Sequence, residues 1–252
     1  MVPESTQPLD AVVSAPPEPL TRARAVMEVL LCSGYPTQIV IAAVLYGFFH
    51  LGPGPDGNPS PPYIVALLTL DTALLLGLMF AFMRRSYDRP SELFLGWRPV
   101  VAEMRLGLLS VPPIMALIIA SQLLLRLVAP SLHNVPTSPF AGLMDSPWTL
   151  AGFVVVLVIA GGLREELQRA FLLRRFEQHL GGARVGLAVT SLAFGLGHTL
   201  QGWDAAVGTA LLGAVWGALY LARRSVVSTV TGHAVFNTLQ AVMGYLVTGT
   251  AT

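Results

Sequence analysis

Residues 106–125 read LGLLSVPPIMALIIASQLLL, a run without a single charge between Arg105 and Arg126. About 20 mostly apolar residues are what an α-helix needs to cross the ~30 Å hydrocarbon core of a bilayer. Lipid offers the backbone no hydrogen-bond partner, so a span has to satisfy its own peptide groups, which a helix does. The run is one of several. By the same ruler helices are predicted near 25–51, 62–83, 104–128, 148–178, 184–200, 204–222 and 225–248. Only 12% of the 252 residues are charged and 54% are apolar, whereas a soluble domain carries about 25% charged residues. The fold class expected is all-α: a polytopic transmembrane helix bundle of about seven or eight spans. An eighth span would come from splitting the long fourth helix or from the connector 84–105.

The breaks between spans are equally legible. GPGPDGNPSPP at 52–62 and SLHNVPTSPFAGLMDSP at 131–147 interrupt the apolar pattern, and the middle of the 84–105 connector suits an interfacial amphipathic helix. Arginine supplies every basic residue and sets the orientation by the positive-inside rule. Arg22 and Arg24 precede the first span, and Arg84, Arg85, Arg89, Arg98 and Arg105 lie between the second and third. Arg174, Arg175 and Arg184 follow the fourth, and Arg223 and Arg224 follow the sixth. The amino terminus is therefore expected in the cytoplasm, with Arg126 the one poor fit. The polar, Pro-rich residues 1–22 lack a signal peptide's basic and apolar regions and read as a disordered tail. N-terminal helices and the connector follow over 23–100, then a second transmembrane unit over 101–250. A net charge of +1, without a basic face carrying aromatics, argues against nucleic acid as a partner. Cys32 is alone, which excludes a disulfide framework and a thiolate metal site.

Ionisable groups inside a bilayer are costly, at least ~2.5–3.5 kcal/mol each on insertion scales, and so are functional candidates. Three clusters stand out. GGLREELQRAFLLRRFEQ at 161–178 puts Glu165 and Glu166 on what reads as one helix, Glu165 about 14 Å deeper than Arg174. Arg169 is four residues from Glu165 and three from Glu166, so one guanidinium could hold either carboxylate. The four-residue spacing favours Glu165. FGLGH places Phe194 and His198 deep in the fifth span. HAVFN places His233 and Asn237 on one helix face, His233 about 12 Å past the inner arginines. Gly161, Gly162, Gly195, Gly197, Gly213 and Gly217, with Ala205 and Gly208, suit close helix packing. His50, His133 and His179 sit at span ends or in loops. Asp71, inside the second span, is unexpected; it could pair with an arginine, and it reads as structural.

The order Glu-Glu…Arg, Phe-x-x-x-His, His-x-x-x-Asn on successive helices resembles the CPBP family of intramembrane proteases. That family, also called Abi or CAAX proteases, includes the Ras-converting endopeptidases. The likeness covers roughly residues 100–248. The family pattern is usually Glu-Glu-x-x-x-Arg-Gly, whereas here Glu165-Glu166-Leu-Gln-Arg169-Ala170 is one residue shorter. That turns Arg169 by about 100° around the helix.

The resemblance implies peptide-bond hydrolysis inside the membrane. It makes Glu165 the general base, assisted by His198, and His233 and Asn237 the donors to the developing oxyanion. Glu166, Arg169 and Phe194 support them. A metal-free glutamic mechanism is favoured and no cofactor is expected; zinc on Glu165, His198 and His233 is the alternative. A non-catalytic membrane scaffold or bacteriocin-immunity-type protein of the same fold also stays open. The implied partners are the lipid bilayer and a membrane-bound protein or peptide substrate, possibly prenylated. The expected location is a bacterial inner membrane, with the active-site opening toward the cytoplasm.

Overall fold

The computed structural model describes residues 20–54, 59–136 and 138–249. Most of the N-terminal tail expected over 1–22 lies outside that range. Nine α-helices and no strand occur among the described residues. In chain order they are α1 (Arg22–Leu31), α2 (Tyr35–Phe49), α3 (Pro61–Arg85), α4 (Val100–Val128), α5 (Pro147–Val156), α6 (Glu165–His179), α7 (Ala183–Leu196), α8 (Trp203–Arg223) and α9 (Val227–Gly249). A π-helical segment, Leu157–Arg164, joins α5 to α6 without a break.

Four helices are long and apolar enough to cross a membrane: α3, α4, the continuous Pro147–His179 rod, and α8. A fifth is reached if α1 and α2, which meet at a 42° bend, count as one. Seven or eight spans are therefore not established. The expected single helix over 25–51 is broken at Gly34, whose φ of +91° leaves the right-handed helical region. Pro36 then starts α2 without an N–H to offer the preceding turn. The helix expected over 184–200 stops at Leu196, too short to span. α9 has the length but not the hydropathy, because His233, Asn237 and Gln240 sit along it.

The connector also differs from the amphipathic helix expected there. It makes one π-helical turn, Ser91–Leu95, which α8 and α9 hold in place. Tyr220 Oη donates to the Leu93 carbonyl at 3.1 Å, and the Val226 N–H donates to the Phe94 carbonyl at 2.7 Å.

Packing follows the small residues. α7 lies along α8, while α4 and the π-helical segment lie along α9. A Cβ on Gly162 would come within 2.8 Å of the Ala234 Cβ, and one on Gly195 within 2.5 Å of the Ala206 carbonyl oxygen. Either contact is too close for any side chain, so these glycines set the helix separation. Most apolar surface points outward: only 17% of the most apolar stretch of α4 is buried inside the protein. The bundle is thus apolar outside, and its buried charged groups are set among apolar core clusters within.

Candidate active site

Three successive residues at the junction of the π-helical segment and α6 leave the rod in different directions, since neighbours on a helix are about 100° apart. Arg164 turns to α3, where its Nη2 donates to Asp71 Oδ2 at 2.6 Å. Glu166 turns to α9, where His233 Nδ1 lies 2.8 Å from its Oε1. Glu165, between them, is 17% exposed and accepts no hydrogen bond from the described residues. Its nearest charged or chargeable neighbours are His233 Nε2 at 3.7 Å and Arg164 Nη1 at 4.0 Å.

Arg169 is bonded to Glu166, not to Glu165 as the four-residue spacing suggested. The three-residue spacing is equally reachable on a helix. Glu166 is moreover the carboxylate already committed to the buried side by His233, so the guanidinium joins it there. Arg169 also lies 4.8 Å above the Phe194 ring, a cation–π contact that ties α6 to α7.

His233 is nearly fully buried. It stacks on Trp216 with ring centroids 3.9 Å apart and planes at 21°. An ionised carboxylate only accepts, so Nδ1 carries the proton toward Glu166 and Nε2 faces Glu165. Asn237 follows one turn later. A Cβ on Gly161 would meet its Nδ2 at 2.7 Å, so glycine makes room for that amide.

His198 is not deep within a helix. α7 ends at Leu196, and the residue lies just beyond, before the turn Thr199–Gln201. Its Nδ1 bonds the Phe194 carbonyl at 2.8 Å, which fixes Nδ1 as the donor and turns Nε2 outward. The Phe194 ring lies edge-on to His198, with centroids 4.9 Å apart.

Glu165, Phe194, His198, His233 and Asn237 line one cavity of about 260 Å³, floored by Trp216. Glu165, Phe194 and His198 also line a second cavity of about 310 Å³ on the α1–α2 side, together with Arg164 and Arg169. Glu165 therefore stands at a waist between two cavities. Sequence reasoning passed over Trp216 and Arg164. The signal for Arg164 was present, a third charge beside two glutamates at membrane depth, with an unexplained Asp71 to receive it.

Glu165, His198 and His233, the alternative zinc ligands, all line the first cavity. Among the described residues no group of three or more His, Cys, Asp or Glu side chains is spaced to hold a metal ion. His233 Nε2 also faces the Glu165 carboxylate directly, at 3.7 Å.

Apolar helices enclosing a Glu–His–His–Asn cavity define an integral membrane protein with a polar site inside its bundle. Residues 146–239, from the cap of α5 into α9, match the family model described as Type II CAAX prenyl endopeptidase Rce1-like. That segment is therefore similar to Rce1-like domains, and it contains Glu165, Phe194, His198, His233 and Asn237. Comparison with curated proteins and with solved structures gave no match.

Proposed function

We propose that this protein is an intramembrane endopeptidase that hydrolyses a peptide bond in a membrane-associated protein or peptide, CAAX-type substrates being the first candidates. One observation carries the reading: a loosely held carboxylate, two imidazoles and a carboxamide line one cavity. These groups meet the needs of amide hydrolysis. Glu165, helped by His198 Nε2, takes a proton from water as the oxygen attacks the scissile carbonyl carbon. Asn237 Nδ2 and His233 Nε2 then donate to the oxyanion. For His233 to donate there while Nδ1 donates to Glu166, the ring carries both protons, and the Glu166 carboxylate compensates that charge. As the C–N bond breaks, Glu165 returns its proton to the leaving amine, giving a carboxylate and an amine.

No step passes through a metal. The cytoplasmic opening and bacterial inner-membrane location belong to the same proposal, supported by the arginine-rich loops beside the site. Purified protein in detergent, given prenylated and unprenylated CAAX-type peptides, should release the C-terminal fragment. Glu165→Gln should lower the rate by about 10²–10⁴-fold, the usual worth of a general base. A folded wild-type protein that cleaves nothing would leave the scaffold reading in its place.

A further inference from the structure

Asp71, on α3, lies outside the segment that matches the family and is completely buried. Its carboxylate gathers three donors from two elements, α2 and the π-helical segment. Thr37 Oγ1 donates to Oδ1 at 2.5 Å, Gln38 Nε2 to Oδ2 at 3.2 Å, and Arg164 Nη2 to Oδ2 at 2.6 Å. Arg164 Nη1 donates to Gln168 Oε1 at 3.0 Å, and Gln168 Nε2 donates to the Cys32 carbonyl at 2.8 Å. The guanidinium is pinned from both sides, while its Nε is buried without a partner. Joining helices does not require this, because well-packed apolar residues do as well as a buried ion pair or better.

What sets the pair apart is its neighbour. Arg164 precedes Glu165 in the chain, and its Nη1 stands 4.0 Å from Glu165 Oε1. A small torsional change would close that gap to a direct, charge-assisted bond and lock the carboxylate. Asp71 takes the short contact instead. On the other side of Glu165, Glu166 occupies Arg169 in the same way. Glu165 thus lies between two ion pairs and is the one carboxylate of the three with no cation within hydrogen-bond distance, Arg164 standing at 4.0 Å and the His233 ring at 3.7 Å. Besides Arg164, the titratable or charged groups facing it are His233 and, across the shared cavities, His198, Arg169 and Tyr35.

We infer that Asp71 and Arg164 are a positioning pair for Glu165, in which Asp71 keeps the guanidinium beside the catalytic carboxylate while preventing it from closing on it. The inference rests on the endopeptidase reading and extends the working site to α3, beyond the family-matched segment.

Full-length protein in detergent tests it, through the pH dependence of cleavage of one CAAX-type peptide. Asp71→Asn should cut kcat about 10–100-fold, as losses of outer supporting carboxylates do, with KM little changed. Its acidic limb should move to lower pH, because an uncompensated Arg164 holds Glu165 ionised. Arg164→Gln should move that limb to higher pH, because Asp71 then repels the Glu165 charge. The double variant, which removes both charges, should return the limb close to its original place with kcat still reduced.

Limbs that stay in place, or move the same way in both single variants, overturn the inference and mark the pair as structural. Should the single variants fail to purify, the double variant decides: unchanged kcat overturns the inference, reduced kcat at unchanged KM supports it. Wild-type protein without Glu165-dependent cleavage would instead overturn the endopeptidase reading, and the positioning role with it.

Discussion

The two ends of α6 handle charge in opposite ways. Toward its C-terminus, Arg175 is wholly buried and grips two partners closely, Glu28 at 2.7 Å and Asp88 at 2.6 Å. At its N-terminus, Glu165 has no partner nearer than 3.7 Å. The first arrangement binds α1 and the connector just past α3 to α6 through two short ion pairs. The second leaves a carboxylate partly exposed and without a hydrogen-bond partner among the described residues, as the proposed general base requires. Saturated charges hold this bundle together, and an unsaturated one is available for chemistry.

Substitutions can break that contrast. The largest stability effect should come from Arg175→Met, which leaves buried Glu28 with only the half-buried Arg24 as partner and takes the cation from Asp88. Removing one side of a buried ion pair costs up to about 3–5 kcal/mol, visible as a lowered Tm in detergent. A variant as stable as the wild type would remove the distinction between the two ends. Asn237→Ala should act in the reverse sense, losing about 10²–10³-fold in kcat, the worth of one oxyanion donor, with Tm nearly unmoved. If it destabilises as Arg175→Met does, the amide belongs with the structural contacts. The smallest effect expected is none: exhaustive chelation should leave cleavage intact and elemental analysis should find no stoichiometric zinc. Activity lost to the chelator and restored by zinc alone would put a metal between Glu165 and the histidines.

The sequence located the polar residues well and their partners poorly. Hydropathy measures the cost of placing a residue in lipid, so Glu165, His198, His233, Asn237 and Asp71 stood out as soon as the apolar runs were drawn. It says nothing of which helices meet. Whether Arg169 serves Glu165 or Glu166 depends on a third group, His233, more than sixty residues away. The bend at Gly34 escaped notice because a single glycine in an apolar run reads as helix. The doubt over span number has a related cause, since the residues that make α9 useful also lower its hydropathy below that of a lipid-facing helix.

The contact between Asp71 and Arg164 also bears on how the protein is made. The chain leaves the ribosome with the acid about ninety residues ahead of the base, so α3 enters the membrane carrying a charge whose counterpart has not yet been synthesised. Each such charge raises the cost of insertion by ~2.5–3.5 kcal/mol until it is neutralised. α3 can bear that alone, because its remaining length is strongly apolar, with a mean hydropathy of 2.2 in its best stretch. The rod from Pro147 to His179 is less apolar, at 1.7, and carries three more arginines toward its C-terminal end. It arrives where Asp71 already waits, so the helix laid down first acts as a template for seating the one that brings Glu165.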